Sequence, residues 1–314
     1  MNPRLTMLVV AITVLLAVRP SGAVAAETDA SAEPFRVPAP TRAYFVEGGD
    51  NARIAVQEWG NTEERAIIFV HAFSQSHLAW IPQVTGQLAQ DFRLITFDNR
   101  GHGNSDKPAG LAPYSDGTLF AADLDAVIGG SNAKNPIVVA WSIGGVLTGD
   151  YLQYHGDDAL GGILFLSAAH KLSPDGQYFG RAFAEFGPGM MSDDLATNVQ
   201  ATLAAGRAIT AQPVEPTLFA FIVATNMVVP SHVRAGFVSR TVDHFRDTLP
   251  SLSVPVRIIH GDKDVLLQVE SSREAARRVP NASLTILSDV GHAPHAERPA
   301  AVEAAIRQLI ADSQ

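Results

Sequence analysis

Residues 137–145 read IVVAWSIGG, an apolar run that leads directly into a serine with small residues two positions before and after it. The segment 137–140 has the length and the β-branched content of a fully buried strand. Two glycines follow and open a helix-like segment, 146–154. At such a strand-to-helix turn the backbone is tight, and we expect the hydroxyl of Ser142 to stand clear of both elements. Small neighbours suit this position because the strand and the helix pass close together there.

Strand and helix patterns alternate over most of the chain. Strands are predicted at residues 43–46, 53–58, 66–70, 94–97, 137–140, 162–166, 256–260 and 283–287. The first two are joined by Gly-Gly-Asp-Asn, which is a hairpin signal. Helices are predicted at residues 80–90, 118–128 (ended by Gly129 and Gly130), 146–154, 268–278 and 300–311. The alternation predicts a mostly parallel sheet that is covered by helices on both faces.

The alternation stops between Lys171 and Thr248, where the sequence contains no pattern for a buried strand. Helix signals take its place. Ser-Asp-Asp at 192–194 reads as a helix N-terminus, and residues 215–228 and 231–245 have helical patterns. We therefore predict a helical insertion after the sixth main strand.

Length, charge and cysteine content limit the classes of function. The chain has 314 residues, of which 46% are hydrophobic, so it can form a large core. Its formal net charge of −9 argues against nucleic-acid binding, because no basic run is present to neutralise phosphates. It contains no cysteine, which excludes disulfides, thiolate metal sites and a cysteine nucleophile. No Gly-x-Gly-x-x-Gly follows a predicted strand, so a dinucleotide site is not supported.

The N-terminal residues have the pattern of a secretory signal peptide, predicted to cover residues 1–25. Arg4 supplies the positive region, residues 7–18 the apolar region, and Ala-Val-Ala at 23–25 the cleavage site. The apolar region is too short to span a bilayer comfortably, and a retained anchor is the alternative reading. Residues 26–42 lack periodicity and are predicted to be a flexible lead-in. We therefore expect an exported protein, periplasmic or secreted, without stable membrane insertion after cleavage.

The serine turn is similar to a known motif. Ala140-x-Ser142-x-Gly144 resembles the nucleophile elbow of the α/β-hydrolase fold, Gly-x-Ser-x-Gly, with alanine at the first glycine position. Taken by itself, Ser142 could instead cap the following helix, which is the alternative reading of this serine.

A second motif carries the same resemblance. Residues 98–105, DNRGHGNS, look like the Asp-x-Arg-Gly-x-Gly-x-Ser turn of cofactor-free hydrolases and haloperoxidase-like enzymes. Its expected role is structural; the alternative is a metal or anion site, for which no second ligand cluster has the spacing. The resemblance implies the α/β-hydrolase fold, with a hydrolase core at 43–170 and 249–314. It also implies that the insertion, 171–248, is a helical cap.

The resemblance implies a catalytic triad. A serine hydroxyl is a poor nucleophile unless a base accepts its proton and an acid orients that base. In this family the order along the chain is serine, acid, histidine, each after a strand. A Gly-Asp-Lys-Asp turn and an Asp-Val-Gly-His turn follow predicted strands in that order, which implies Ser142, Asp264 and His292. The alternatives at these two turns are Asp262 and His295, otherwise read as a turn cap and a surface residue.

A triad of this kind also needs two hydrogen-bond donors for the oxyanion. One implied donor is the backbone N–H of Ile143, directly after the nucleophile. The loop after the third strand, His-Ala-Phe-Ser at 71–74, is similar to the family's His-Gly-Phe turn, with Ala72 at the usual glycine position. This pattern places the second donor on the N–H of Phe73. His71 is expected to brace the loop rather than to act in catalysis.

The other histidines are read as surface residues or as core residues with satisfied hydrogen bonds, because their spacing does not suit a metal. They are His77, His155, His170, His232 and His244. We predict no metal and no cofactor.

The resemblance implies hydrolysis of an ester or related acyl bond through an acyl-enzyme, as in carboxylesterases (EC 3.1.1). The expected partner is a small, largely apolar molecule, because the apolar cap covers the strand ends at which ligands bind in open α/β sheets. Cap candidates for the pocket are Phe183, Phe186, Met190 and Phe219. Lactonase, amidase, C–C hydrolase and perhydrolase or haloperoxidase-like activities on the same triad are alternatives, and so is a ligand receptor with slow turnover. Serine at position 142 argues against dehalogenases and epoxide hydrolases of this fold, which use aspartate.

Overall fold

The computed structural model describes residues 37–280 and 282–313. The predicted signal peptide, 1–25, and most of the predicted lead-in, 26–42, lie outside these residues, so both stay predictions. Residues 37–41 contain no helix or strand, and the first strand begins at Arg42.

Eight strands form one sheet, in the order β1-β2-β4-β3-β5-β6-β9-β10. Their bounds are β1 Arg42–Glu47, β2 Arg53–Gly60, β3 Ala66–Val70, β4 Arg93–Phe97, β5 Ile137–Trp141, β6 Gly162–Leu166, β9 Val256–Gly261 and β10 Ser283–Leu287. Strand β2 is antiparallel to β1 and β4, and all other neighbours are parallel. The prediction of a mostly parallel sheet is confirmed, and each predicted strand lies within one of these eight.

Helices cover both faces of the sheet. Successive side chains of a strand point to opposite faces, so a strand between two helical layers is apolar throughout. In β3, Ile68 and Val70 belong to one buried cluster, while Ile67 and Phe69 belong to another that includes Trp80. This explains why the central strands read as continuous apolar runs.

Thirteen α-helices lie within the described residues. Their bounds are α1 Ile81–Val84, α2 Leu88–Asp91, α3 Ala112–Ser115, α4 Gly117–Ser131, α5 Gly144–His155, α6 Arg181–Met190, α7 Leu195–Ala208, α8 Pro216–Met227, α9 Ser231–Val238, α10 His244–Asp247, α11 Val269–Arg278, α12 Pro294–Glu297 and α13 Pro299–Asp312. No single one of them is long and apolar enough to cross a membrane; α8 and α9 have that length and composition only as a pair, which is bent by 80°.

Three helix predictions were wrong in part. The predicted helix 80–90 is broken into α1 and α2 after Val84, and Thr85 closes α1 by donating both its N–H (3.0 Å) and its hydroxyl (2.7 Å) to the carbonyl of Ile81. Helix α4 runs through its two glycines and ends at Asn132, which adopts the left-handed conformation (φ +54°) expected of a terminating glycine. The predicted helix 231–245 ends early, at Val238.

The insertion after β6 is held together at its base by two short strands. Strand β7, Lys171–Leu172, pairs antiparallel with β8, Val242–Asp243. Leu172 is buried, so β7 is a two-residue exception to the prediction that this stretch lacks a buried strand. Helices α6 to α9 lie between the two strands, and α7 begins after Asp194, whose carboxylate accepts a hydrogen bond from the N–H of Thr197 (2.8 Å). Helix α6 had no signal that we recognised in the sequence.

Candidate active site

Ser142 occupies the turn between β5 and α5. Its φ of +56° lies in the left-handed region, which is unfavourable for a residue with a Cβ atom. Hydrogen bonds hold this conformation: the N–H of Ser142 donates to the carbonyl of Leu166 (3.0 Å), and its carbonyl accepts from the N–H of Ala169 (2.9 Å). Such strain persists only where the surrounding structure enforces it, and it is concentrated at functional sites.

The glycines after Ser142 permit close packing of α5 against its neighbours. A Cβ atom on Gly144 would lie 2.6 Å from the carbonyl oxygen of Val70, and one on Gly145 would lie 2.5 Å from that of Ala169. Neither distance is compatible with a side chain. The Ser142 side chain does not cap the helix, because Ile143 is the N-cap residue and no side chain supplies a capping hydrogen bond. The helix-cap reading of Ser142 was therefore wrong.

Ser142, His292 and Asp264 form a continuous hydrogen-bonded series. The Oγ of Ser142 lies 2.8 Å from Nε2 of His292, and Nδ1 of His292 lies 2.6 Å from Oδ2 of Asp264. A carboxylate only accepts, so Nδ1–H of the imidazole donates to it and leaves Nε2 as an acceptor for the serine O–H. The side chains of His292 and Asp264 are 6% and 1% exposed. The arrangement can remove a proton from a serine hydroxyl in a nearly dry environment.

Asp264 is held by four hydrogen bonds. Its Oδ1 accepts from the N–H groups of Leu266 (2.8 Å) and Leu267 (2.9 Å). Its Oδ2 accepts from His292 and also from Nε2 of His260 at 3.1 Å. Burial by itself would raise the pKa of Asp264, but the charge and hydrogen bonds of His292 and His260 lower it below the ordinary range. The carboxylate is therefore ionised at neutral pH.

His292 is fixed through its backbone as well as its ring. Its N–H donates to the carbonyl of Ile209, just after α7 in the insertion (2.8 Å). Its carbonyl accepts from the indole N–H of Trp141, at the end of β5 (2.7 Å). Two segments that are distant in the sequence thus determine the position of the imidazole.

Asp262 and His295, the alternatives to Asp264 and His292, lie outside the hydrogen-bonded series. Asp262 is exposed, and its Oδ1 accepts from the N–H of Asp289 (2.7 Å), which is the turn-capping role considered above. His295 is buried, with ring centroids 4.7 Å from Trp80 and 4.4 Å from Trp141. Burial lowers the pKa of His295 to about 3, so it is neutral at physiological pH. Its reading as a surface residue was wrong.

The two implied oxyanion donors belong to the same cavity as the serine. Phe73, Ile143, Ser142 and His292 all line it. Within the described part of the chain, the backbone N–H groups of Phe73 and Ile143 make no hydrogen bond. Both remain available to a ligand at the N-terminal end of α5, where the helix dipole favours negative charge.

The loop that carries Phe73 is braced by two histidines. Nδ1–H of His71 donates to the carbonyl of Ala72 (2.8 Å), and Nε2 accepts from the N–H of Asn99 (2.9 Å). Nε2 of His102 accepts from the N–H of Ser74 (3.2 Å). Burial lowers the pKa of His71 to about 4 and that of His102 to about 3, so both rings are neutral acceptors.

The remainder of the 98–105 turn connects loops to the core. Asp98 accepts from the N–H of His77 (2.8 Å) and from that of Asn104 (2.9 Å). Although burial opposes ionisation of Asp98, the hydrogen bond from His77 and nearby positive charge lower its pKa to about 2. Arg100 forms a buried ion pair with Asp123 at 2.6 Å. Among the residues that the structure describes, no group of histidine and carboxylate side chains could hold a metal ion.

The cavity beside Ser142 is mostly apolar and contains about 710 Å³ of atom-free space, including its opening to solvent. Phe183, Phe186 and Met190 line it, together with other residues of the insertion. Phe219 does not line it. Its ring lies 5.3 Å from the guanidinium of Arg207 and borders a separate outer groove. Phe219 is two helical turns before Asn226, the residue of α8 that lines the cavity, and its position along the helix keeps it out of the cavity.

Four further residues near the serine were not identified from the sequence: His260, Gln75, Asn226 and Arg234. His260 is the only one with a local signal, a polar residue near the end of an apolar strand. The others come from separate segments, and nothing in their immediate sequence indicates that they meet.

The scattered histidines have several environments. The ring of His77 is hydrogen-bonded to the carboxylate of Asp98. Nδ1 of His244 lies 3.0 Å from the hydroxyl of Thr248, whereas the side chain of His155 is exposed. His232 is near a backbone carbonyl. His170 is fully buried, and neither of its ring nitrogens has a partner, so the reading of a satisfied core histidine was wrong there.

Comparisons with known proteins place the chain in a family. The sequence model of the alpha/beta hydrolase family matches residues 67–305. The solved structure of the esterase RhEst1 from Rhodococcus sp. ECU1013 superposes with a TM-score of 0.81 at 29% identity, covering 87% of this chain and 99% of that one. The non-heme chloroperoxidase CPO-A1 of Kitasatospora aureofaciens is 25% identical over 264 residues, which is 77% of this chain and 90% of that protein.

A further relative is similar over a short region only. The protein named "Probable oxidoreductase EphD" of Mycobacterium tuberculosis is 38% identical over 113 residues, which is 36% of this chain. The matched region spans 19% of that protein's length.

Proposed function

The chain belongs to the alpha/beta hydrolase family, and from this premise we propose that it is a serine esterase of the carboxylesterase class. Its substrate is a small, largely apolar ester, hydrolysed through an acyl-enzyme on Ser142. The observation that carries the proposal is the hydrogen-bonded series from Ser142 to His292 to Asp264 beside an apolar cavity. The similarity to an esterase over nearly the whole described chain supports it. The predicted signal peptide supports export as the setting of this activity.

In the proposed acylation step, Oγ of Ser142 attacks the ester carbonyl carbon while Nε2 of His292 accepts its proton. The carbonyl oxygen becomes negative and is stabilised by the N–H groups of Phe73 and Ile143. Asp264 stabilises the imidazolium. The C–O bond to the alcohol then breaks, and His292 returns the proton to the leaving alkoxide.

Deacylation repeats these steps with water. His292 removes a proton from a water molecule, whose oxygen attacks the acyl carbon. The bond to Oγ of Ser142 breaks, and His292 protonates the serine. The carboxylic acid leaves, and the free enzyme is restored without a cofactor.

A fluorophosphonate probe and a series of p-nitrophenyl esters test the proposal. We expect one labelled site, hydrolysis that favours short to medium acyl chains, and loss of both in Ser142→Ala. Ser115→Ala, at an exposed serine, is the matched control and should keep both. Labelling that persists in Ser142→Ala would refute the assignment, and a folded wild-type protein without labelling would favour the slow-turnover receptor.

Perhydrolysis is a second candidate, favoured by the similarity to a non-heme chloroperoxidase. The same acyl-enzyme would react with hydrogen peroxide in place of water, giving a peracid and free Ser142. The cavity opens to solvent, so either nucleophile can enter. A peracid assay with acetate or a short ester as the acyl donor distinguishes this activity from hydrolysis alone.

A further inference from the structure

Two side-chain amides interrupt the apolar lining of the cavity. Gln75, two residues after the implied oxyanion donor Phe73, is 7% exposed, and Asn226 of α8 is 4% exposed. Both line the cavity that contains Ser142. They come from two different segments, Gln75 from the loop after β3 and Asn226 from the insertion.

Some donor and acceptor atoms of these two amides form no hydrogen bond with the described part of the protein. Among the described residues no side-chain hydrogen bond of Gln75 is found, and Gln75 is not one of the fully enclosed polar side chains without a partner, so its amide reaches the open space of the cavity. Asn226 donates through Nδ2 to the carbonyl of Ile222 (2.8 Å), and no described donor reaches its Oδ1. Water in the cavity can satisfy both amides, and a ligand group that replaces this water must offer equivalent hydrogen bonds. An amide that loses its water without gaining a partner costs about 1–3 kcal/mol.

A buried arginine joins the two segments that carry the amides. Nε of Arg234 donates to the hydroxyl of Ser74 (2.9 Å), the residue before Gln75, and Nη2 donates to the carbonyl of Asn226. The guanidinium is fully buried, and among the described residues it forms no ion pair. Burial lowers the pKa of Arg234 to about 10, so it stays charged at neutral pH and disfavours a cationic ligand group nearby.

We propose that Gln75 and Asn226 form a polar subsite that selects substrates bearing a neutral group able to donate and to accept a hydrogen bond, a hydroxyl group above all. Gln75 offers both a donor and an acceptor, while Asn226 offers an acceptor through Oδ1. The surrounding aromatic and aliphatic residues then hold the rest of the molecule. This inference rests on the proposed function and deepens it from apolar esters to hydroxylated ones.

The test compares matched esters in a pH-stat. One pair places the group in the acyl part, ethyl butanoate and ethyl 3-hydroxybutanoate; the other places it in the alcohol part, butyl acetate and 3-hydroxybutyl acetate. For each pair the measured quantity is the ratio of kcat/KM for the hydroxylated ester to that for the plain ester. We expect a ratio above one in at least one pair, and a fall of about tenfold in Gln75→Met, the loss of one hydrogen bond.

Gln75→Met keeps the length of the side chain, and Gln87→Met, at an exposed glutamine just before α2, is the matched control. The control should keep the wild-type ratio. If the wild type hydrolyses plain esters but both ratios are at or below one, or are unchanged in Gln75→Met, the inference is overturned while the esterase assignment stands. If the wild type hydrolyses no ester of either pair, the proposed function fails, and the inference with it.

Discussion

Asp264 shows how closely a single side chain in this site is specified. Two backbone N–H groups hold one of its oxygens, and two imidazoles, those of His292 and His260, share the other. Together these contacts allow the carboxylate only one orientation. Its neighbour Asp262 has a similar sequence context but faces solvent and caps a turn.

We expect Asp264→Asn to lower kcat by up to about 10⁴-fold, as in other triads, because an amide can present the wrong group to Nδ1 of His292. Asp262→Asn should lower kcat only slightly and is the matched control. The measurement is kcat with p-nitrophenyl butyrate for both variants. A larger loss in Asp262→Asn than in Asp264→Asn would show that the acid had been assigned two residues out of place.

We expect His260→Phe to move the acid limb of the kcat/KM profile to higher pH. Nε2–H of His260 is shared between Oδ2 of Asp264 and the carbonyl of Leu267, each at 3.1 Å, so its loss concentrates negative charge on the carboxylate and stabilises the imidazolium of His292. A hydrogen bond worth about 1 kcal/mol corresponds to roughly 0.7 pH unit. The measurement is kcat/KM for a neutral ester from pH 5 to 9 at constant ionic strength. An unshifted limb, with kcat lowered at every pH, would indicate a purely structural role for His260.

At the scale of elements, the hydrogen bonds of one side chain connect helix α9 to the loop after β3, and Phe237 of the same helix packs against Phe73 in that loop. Arg234 of α9 donates to Ser74 next to the oxyanion donor, to the carbonyl of Met190 (2.8 Å) and to Oδ1 of Asn198 (2.8 Å). It thereby links three segments of the insertion to the loop after β3. The insertion is therefore part of the support of the oxyanion site as well as the wall of the cavity.

Arg234→Met should lower kcat at least tenfold, because the loop that positions the N–H of Phe73 loses its anchor. Its melting temperature should also fall, since buried acceptors are left unpaired. Arg181→Met, at an exposed arginine of the same insertion, is the charge-matched control and should change neither quantity. A variant with a lowered melting temperature but wild-type kcat would mean that Arg234 stabilises the insertion without positioning the loop.

At the scale of the whole molecule, the interior contains several neutral histidines. Burial lowers the pKa of His71 to about 4 and those of His102, His170 and His295 to about 3. An unfolded histidine has a pKa of about 6.5. Between these values the unfolded chain binds more protons than the folded chain, so the free energy of unfolding falls as pH decreases.

We expect the free energy of unfolding to fall from pH 7 to pH 4.5, by on the order of 1.4 kcal/mol per pH unit for each fully neutral buried histidine. His170→Leu should reduce this slope by about 1.4 kcal/mol per pH unit, the contribution of one histidine. The substitution removes no hydrogen bond, because neither ring nitrogen of His170 is bonded. His155→Gln, at an exposed histidine, is the control. Urea unfolding at several pH values measures the slope. A free energy of unfolding independent of pH over this range would contradict the neutral, buried state of these rings.

The sequence by itself determined the strand order along the chain, the serine turn and the candidate residues Ser142, Asp264 and His292. The strands and the serine turn have local signals, since a buried strand shows its apolar run, whereas Asp264 and His292 were implied by the resemblance to the α/β-hydrolase family. Helix ends were less predictable, as at Asn132, because a left-handed terminating residue need not be glycine. The tertiary structure alone decided that Phe219 borders a groove other than the serine cavity and that Arg234 reaches the oxyanion loop. Such contacts depend on how distant segments pack. Local periodicity does not indicate which face of a helix packs against which loop.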